Sequence, residues 1–124
     1  MGDRLQGKVA VVVGASSGMG RAIARAFSDE GAAVCLAART ADALEEEARA
    51  IRNSGRQAMA RPTDARDPAA CEGLVRDAVA RFGRIDILVY ATGTNIPSRG
   101  LQVLTTDTWD MMVATNLSGA FYCT

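Results

Sequence analysis

Five consecutive apolar residues, Val9–Val13, run straight into a turn carrying Gly14, Gly18 and Gly20, and a helical pattern begins at once. That junction constrains the fold more than any other stretch of the chain. An unbroken apolar run, rather than an alternating one, is the pattern of a strand covered on both faces, as in a parallel sheet flanked by helices. A turn at the carboxyl end of such a strand aims several N–H groups outward at the start of the next helix. Those donors and the helix dipole together favour a phosphate.

The spacing assigns each glycine a task. Gly14 permits the tight turn, Gly18 lets backbone approach a pyrophosphate, and Gly20 lets helix and strand pack closely. The hydroxyls of Ser16 and Ser17 can cap the helix or bond phosphate oxygens, and Met19 lies between the last two glycines. The G-x-x-x-G-x-G order matches neither G-x-G-x-x-G nor the lysine-bearing P-loop, whose lysine is missing here. The only lysine, Lys8, precedes the strand. The bland alternative is a glycine-rich turn with no ligand. With a strand before it and an amphipathic helix after it, a dinucleotide is the better expectation.

Apolar runs of strand length alternate with helical patterns through the rest of the chain, which predicts βαβ units and a parallel sheet. Further strands are expected at 33–37, 57–60 and 85–90. The first helix shows Ile23, Ala26 and Phe27 on one face. In the second, Thr40 can cap a face of Leu44, Ala48 and Ile51, closing at Gly55. Asp67 followed by Pro68 starts a third helix, with Leu74, Val75, Ala78, Val79 and Phe82 as its buried stripe and Gly83 as its stop. After a loop at 93–100, Thr105 can cap a helix bearing Trp109, Met112, Val113 and Leu117. The expected fold is α/β: a Rossmann-type doubly wound parallel sheet, incomplete, of about four strands with flanking helices. The whole of 1–124 reads as one nucleotide-binding domain, and the final helix carries no glycine, proline or basic residue to end it. A truncated sequence is the expectation.

Composition narrows the chemistry. Apolar residues are 48% and charged residues 23% of the 124, near the averages for globular proteins, so a disordered chain is not expected. Fourteen basic and fourteen acidic residues cancel, without a basic run, which argues against nucleic acid or an anionic membrane as partner. The polar start gives no signal peptide, and Cys35, Cys71 and Cys123 show no C-x-x-C pair. Cys35, in an apolar run, and Cys71, in register with Val75 on a helical face, are expected to be core thiols in a reducing compartment, hence a cytoplasmic location. There is no histidine, which removes Ser/His and Cys/His nucleophiles and nearly all zinc sites; no metal is expected.

The second strand bears on which dinucleotide. An acidic residue there would hold the ribose 2′-hydroxyl of NAD. Leu36-Ala37-Ala38-Arg39-Thr40 has none. A carboxylate would repel a 2′-phosphate, whereas the Arg39 guanidinium can hold one, so NADP(H) is favoured with NAD(H) as the alternative. The bland alternative for Arg39 is a solvated residue at a helix start.

These residues together resemble the N-terminal half of a short-chain dehydrogenase/reductase. The resemblance runs through VGASSGMG at 13–20, Asp64 after the third strand, FGRIDILV at 82–89 and NLSGAFYCT at 116–124. It implies that Gly14, Ser16, Ser17, Gly18, Met19 and Gly20 hold the pyrophosphate and adjacent ribose, and that Arg39 meets the adenosine phosphate. Asp64 and Ala65 would border the adenine, and Ala91, Thr92 and Gly93 the inner ribose. Asn116 matches an asparagine that helps organise a proton relay. It lies seven residues after Trp109, four after Met112 and three after Val113, so it is expected on their inward face; a helix-bending structural role is the alternative. The pattern departs from the family at Tyr90-Ala91-Thr92-Gly93, where Asn-Asn-Ala-Gly is usual, and at Val13, where threonine is.

The family moves hydride between a nicotinamide and a carbonyl or alcohol, with a tyrosine proton donor tuned by a lysine four residues on and a serine beside the substrate oxygen. A phenol near neutral pH is a poor base without a neighbouring cation. Position 94, four after Tyr90, is threonine, and four after Tyr122 passes Thr124, so these 124 residues contain no Tyr-x-x-x-Lys. The resemblance implies an oxidoreductase represented by its cofactor-binding part, homo-oligomeric when full length, with a small carbonyl or alcohol substrate. A non-catalytic NADP(H)-binding module is the alternative, and an isomerase or epimerase on the same scaffold a more distant one. The chain alone is expected to be poorly soluble and inactive.

Overall fold

In a computed structural model of the chain, residues 2–16, 18–92 and 105–123 are described. The expectations at Ser17, Gly93 and the 93–100 loop lie outside them. The order is β1 (Val9–Val13), α1 (Gly18–Asp29), β2 (Ala33–Ala38), α2 (Ala41–Asn53), β3 (Ala58–Pro62), α3 (Pro68–Phe82), β4 (Ile87–Tyr90), α4 (Thr106–Val113), a π-helical turn (Ala114–Ser118) and α5 (Gly119–Tyr122). All pairings are parallel and the strand order is β3-β2-β1-β4. This is the expected doubly wound arrangement in partial form.

The central strand explains the unbroken valine run. Ala10 and Val12 pack with α1 and α2 residues including Ala24, Leu44, Ala48 and Ile51. Val11 and Val13 pack on the other side with Cys71, Leu74 and Ala78 of α3, and with Cys123. Both faces of β1 are core, so alternation would have placed polar groups in one layer or the other. All three cysteines are buried. Burial pushes the Cys35 thiol up to about 12, the state of an inert core residue rather than a nucleophile.

Several boundaries differ from the expected ones, each for a local reason. β3 runs to Pro62 rather than stopping at 60; it is an edge strand, where a missing proline N–H costs no ladder bond. β4 begins at Ile87 because Asp86 closes the ladder. Its N–H donates to the Val9 carbonyl at 2.8 Å, and its carboxylate accepts the Val9 N–H at 2.9 Å. The buried line of α1 is Gly20, Ala24 and Ser28, with Ile23 and Phe27 half-buried and Ala26 exposed. Small residues at i, i+4 and i+8 let that helix lie close on the sheet, which displaces the larger ones to its flanks. On α3 the buried residues are Cys71, Gly73, Leu74 and Ala78, while Val75 and Val79 are exposed. Val75 opens onto an apolar groove of about 220 Å³ shared with Val11, Ile85 and Leu88.

Caps behave as their chemistry dictates. Asp67 accepts the Ala69 N–H at 3.0 Å with Pro68 in the first turn, and Gly83 ends α3 in the left-handed region at φ 87°. Thr105 and Thr108 form a reciprocal capping box on α4. Thr40 occupies the N-cap of α2 without a side-chain bond. No helix among the described residues is long and apolar enough to cross a membrane.

Candidate functional site

Register brings three strand ends to one place. Val13 is level with Ala37 of β2 and with Tyr90 of β4. The residues that follow each strand therefore meet at the carboxyl edge of the sheet, beside the point where the chain crosses from one face to the other. That is where open α/β sheets hold ligands. A cleft of about 340 Å³ opens there. Of the expected site residues, Gly14, Ser16, Gly18, Met19, Arg39, Asp64, Ala65, Ala91 and Thr92 line it.

The glycines divide between floor and wall. Gly14, at φ 89°, turns the chain out of β1, and its N–H donates to the Ala37 carbonyl at 2.7 Å. Gly20 lies behind the cleft: a Cβ there would stand 2.0 Å from the Gly14 carbonyl oxygen. Gly18 adopts φ 57°, and a Cβ added there would meet nothing within 4 Å. It is the first residue of α1, whose first-turn N–H groups have no acceptors within the helix. A bare backbone edge thus faces open space at a helix start, the cradle a diphosphate requires.

The adenosine end expected from the sequence is charged. Arg39 is exposed and follows β2; Asp64 and Ala65 follow β3. Asp64 is engaged by Arg66: its Oδ1 accepts the Arg66 backbone N–H and Nε–H, each at 3.0 Å, and its Oδ2 accepts Nη2–H at 2.8 Å. These bonds, with Arg39 nearby, hold the Asp64 carboxyl down at about 2. The sequence reading did not single out Arg66, nor Thr63 and Thr115, which also line the cleft. The available signal for Arg66 was its position two residues after the acid, within reach of it in a turn.

Asn116 is the expectation the structure alters. It lies in the π-helical turn, is exposed, and is not among the residues lining the cleft. The shared inward face does not form: Trp109 is 57% and Leu117 67% exposed, and α4 buries none of its residues. No residue of the regular helix α4 is buried, so there is no covered face for Asn116 to share with Met112 and Val113. Its neighbour Thr115 does reach the cleft, and the Thr115 carbonyl accepts the Tyr90 hydroxyl. Burial pushes that phenol up to about 12, and no lysine stands near it in sequence. Gly119 fits beside it where a Cβ would come within 2.8 Å of the Ala65 carbonyl oxygen and 2.2 Å of the Tyr90 oxygen.

The model of the short chain dehydrogenase family matches residues 8–124. The chain belongs to that family. The chain is 36% identical over 123 residues to cis-4-hydroxycyclohexanecarboxylate dehydrogenase of Sinomonas cyclohexanicum, covering 99% of this chain and 49% of that protein. It is 42% identical over 115 residues to glycine betaine reductase of Emericella nidulans, covering 93% of this chain and 9% of the other. Among solved structures, a short-chain dehydrogenase/reductase from Serratia marcescens superimposes with a TM-score of 0.91 at 41% identity, covering 96% of this chain and 49% of that one. The chain therefore spans about half the length, or less, of these relatives. Nicotinamide dinucleotides are the cofactors of the family in general.

Proposed function

We propose that this chain is the dinucleotide-binding part of an NADP(H)-dependent oxidoreductase that interconverts a small carbonyl compound and its alcohol. The observation that carries the proposal is the Gly18 edge facing an open cleft that Arg39 also lines, with no acid at the end of β2. Gly14, Ser16, Ser17, Gly18 and Met19 would hold the diphosphate by backbone and hydroxyl donors, with Gly20 keeping α1 close enough for them to reach. Arg39 would take the adenosine 2′-phosphate bidentately. Asp64 and Ala65 would border the adenine, and Ala91, Thr92 and Gly93 the inner ribose. When bound, the nicotinamide would supply or accept the hydride. Asn116 is proposed for the proton relay, in an exposed position that further structure would have to enclose.

The catalytic tyrosine and lysine would come from polypeptide outside these 124 residues, which hold no Tyr-x-x-x-Lys. That same lack is what supports a second reading, a non-catalytic NADP(H)-binding module. The gene sequence following Thr124 discriminates them: a serine and then Tyr-x-x-x-Lys supports the oxidoreductase, and a stop codon the module. Cofactor choice is tested by titrating the intact gene product with NADPH and NADH. NADPH is expected to bind at least about tenfold more tightly, and Arg39→Asp to reverse the order, because the new carboxylate repels the phosphate and accepts a ribose hydroxyl. Equal affinity in the wild type would overturn the NADP(H) assignment.

A further inference from the structure

Arg39 accounts for a 2′-phosphate only if the rest of the cleft rim tolerates one. Among the described lining residues Asp64 is the only acid; it lines the cleft with Arg39 and Arg66 and is close enough to Arg39 to feel its charge. An unpaired carboxylate close to a dianionic phosphate would work against the very ligand Arg39 attracts, because like charges repel, and more strongly at a protein surface than in bulk water. The geometry removes that opposition. Arg66 takes both Asp64 oxygens through Nε and Nη2, at 3.0 and 2.8 Å, and adds its own backbone N–H at 3.0 Å to Oδ1. The pair is part-exposed, with side-chain accessibilities of 37% and 38%, so it faces whatever enters the cleft rather than lying beneath it.

We propose that Arg66 is a specificity-determining residue, which by holding the Asp64 carboxylate in a bidentate pair keeps it from opposing a 2′-phosphate at Arg39. The proposal rests on the NADP(H) assignment above and adds a second residue to it. Arg39 supplies the attraction, and Arg66 cancels the nearest repulsion. The rim then carries a net single positive charge from three charged side chains. A guanidinium suits the task better than an ammonium, because its planar fork matches both carboxylate oxygens at once.

The test is a set of titrations of the intact gene product with NADPH and NADH, followed by nicotinamide fluorescence and read as the ratio of the two dissociation constants. Arg66→Ala is expected to lower the preference for NADPH by at least about fivefold, with NADH affinity changed far less. Asp64→Asn alone is expected to keep the preference at or above the wild-type value. The double variant Arg66→Ala/Asp64→Asn is expected to recover it to within about twofold, since no carboxylate remains to be shielded. A ratio unmoved by Arg66→Ala, or moved and not recovered in the double variant, overturns the shielding role. When that occurs while the wild type prefers NADPH and Arg39→Asp abolishes the preference, the Arg66 role alone has failed. A wild type that does not distinguish the two nucleotides overturns both the underlying assignment and this extension of it.

Discussion

Gly18 and Gly20 are two residues apart and demand glycine for unrelated reasons. Gly20 has no room: its Cβ would collide with the Gly14 carbonyl oxygen at 2.0 Å and the Gly14 carbonyl carbon at 2.7 Å, both backbone atoms. Gly18 has room but a left-handed φ of 57°. Substituting alanine should therefore separate stability from binding. Gly20→Ala is expected to cost about 3 kcal/mol or more, because backbone must move to admit the methyl group. Gly18→Ala is expected to cost only about 1 kcal/mol of backbone strain, yet to weaken nucleotide binding by placing a methyl group in the cleft. Urea denaturation and nucleotide titration of the two variants check this; the opposite ranking in denaturation would show that the close contact at Gly20 is misjudged.

α3 shows how an element is specified at its ends more sharply than along its length. Asp67, Pro68 and Gly83 mark its limits, and the structure places its start and stop accordingly. Its buried face is less legible. Cys71, Leu74 and Ala78 lie against Val11 and Val13, while Val75 and Val79, which sequence periodicity also predicts as core, are exposed. A helical stripe is wide enough to include residues that face a neighbour and residues beside it, and only the position of the sheet decides between them. Leu74→Ala is expected to cost about 2–5 kcal/mol, as for a fully buried leucine, whereas Val79→Ala should cost under about 1 kcal/mol. Asp67→Ala should cost about 1 kcal/mol through the lost N-cap. Thermal and urea unfolding of the three variants tests the order, and equal losses at positions 74 and 79 would contradict the burial pattern.

At the scale of the whole molecule, three acidic groups on loops and strand ends, Asp64, Asp86 and Glu30, are tied to arginines, and this shapes the response to acid. Arg66 holds the Asp64 carboxyl at about 2 against an ordinary 3.8, and Arg84 and Arg4 lower those of Asp86 and Glu30. A carboxyl whose pKa is depressed by folding contributes stability that is complete above its unfolded value and disappears as pH falls through its folded one. Stability should thus be flat above about pH 5 and fall from about pH 4 toward 2. Because these pairs are exposed or part-exposed, the loss should shrink in high salt. Urea midpoints measured from pH 7 to pH 2 at low and high salt check both statements; a midpoint that rises on acidification would refute the first. Asp86 matters here beyond its charge, since its carboxylate also holds the Val9 N–H where β4 joins the sheet.

The order of elements, the parallel sheet, the glycine-bearing turn and the arginine after β2 were all legible in the sequence, because each follows from chain-local rules: apolar period, caps, and the few residue types that a tight βα turn admits. Only the tertiary structure decided which side of α1 and α3 meets the sheet, and that Asn116 stands exposed in a π turn rather than on a buried face. Those outcomes depend on distances between segments far apart in sequence or on a helix leaving its regular period, and local patterning carries no record of either.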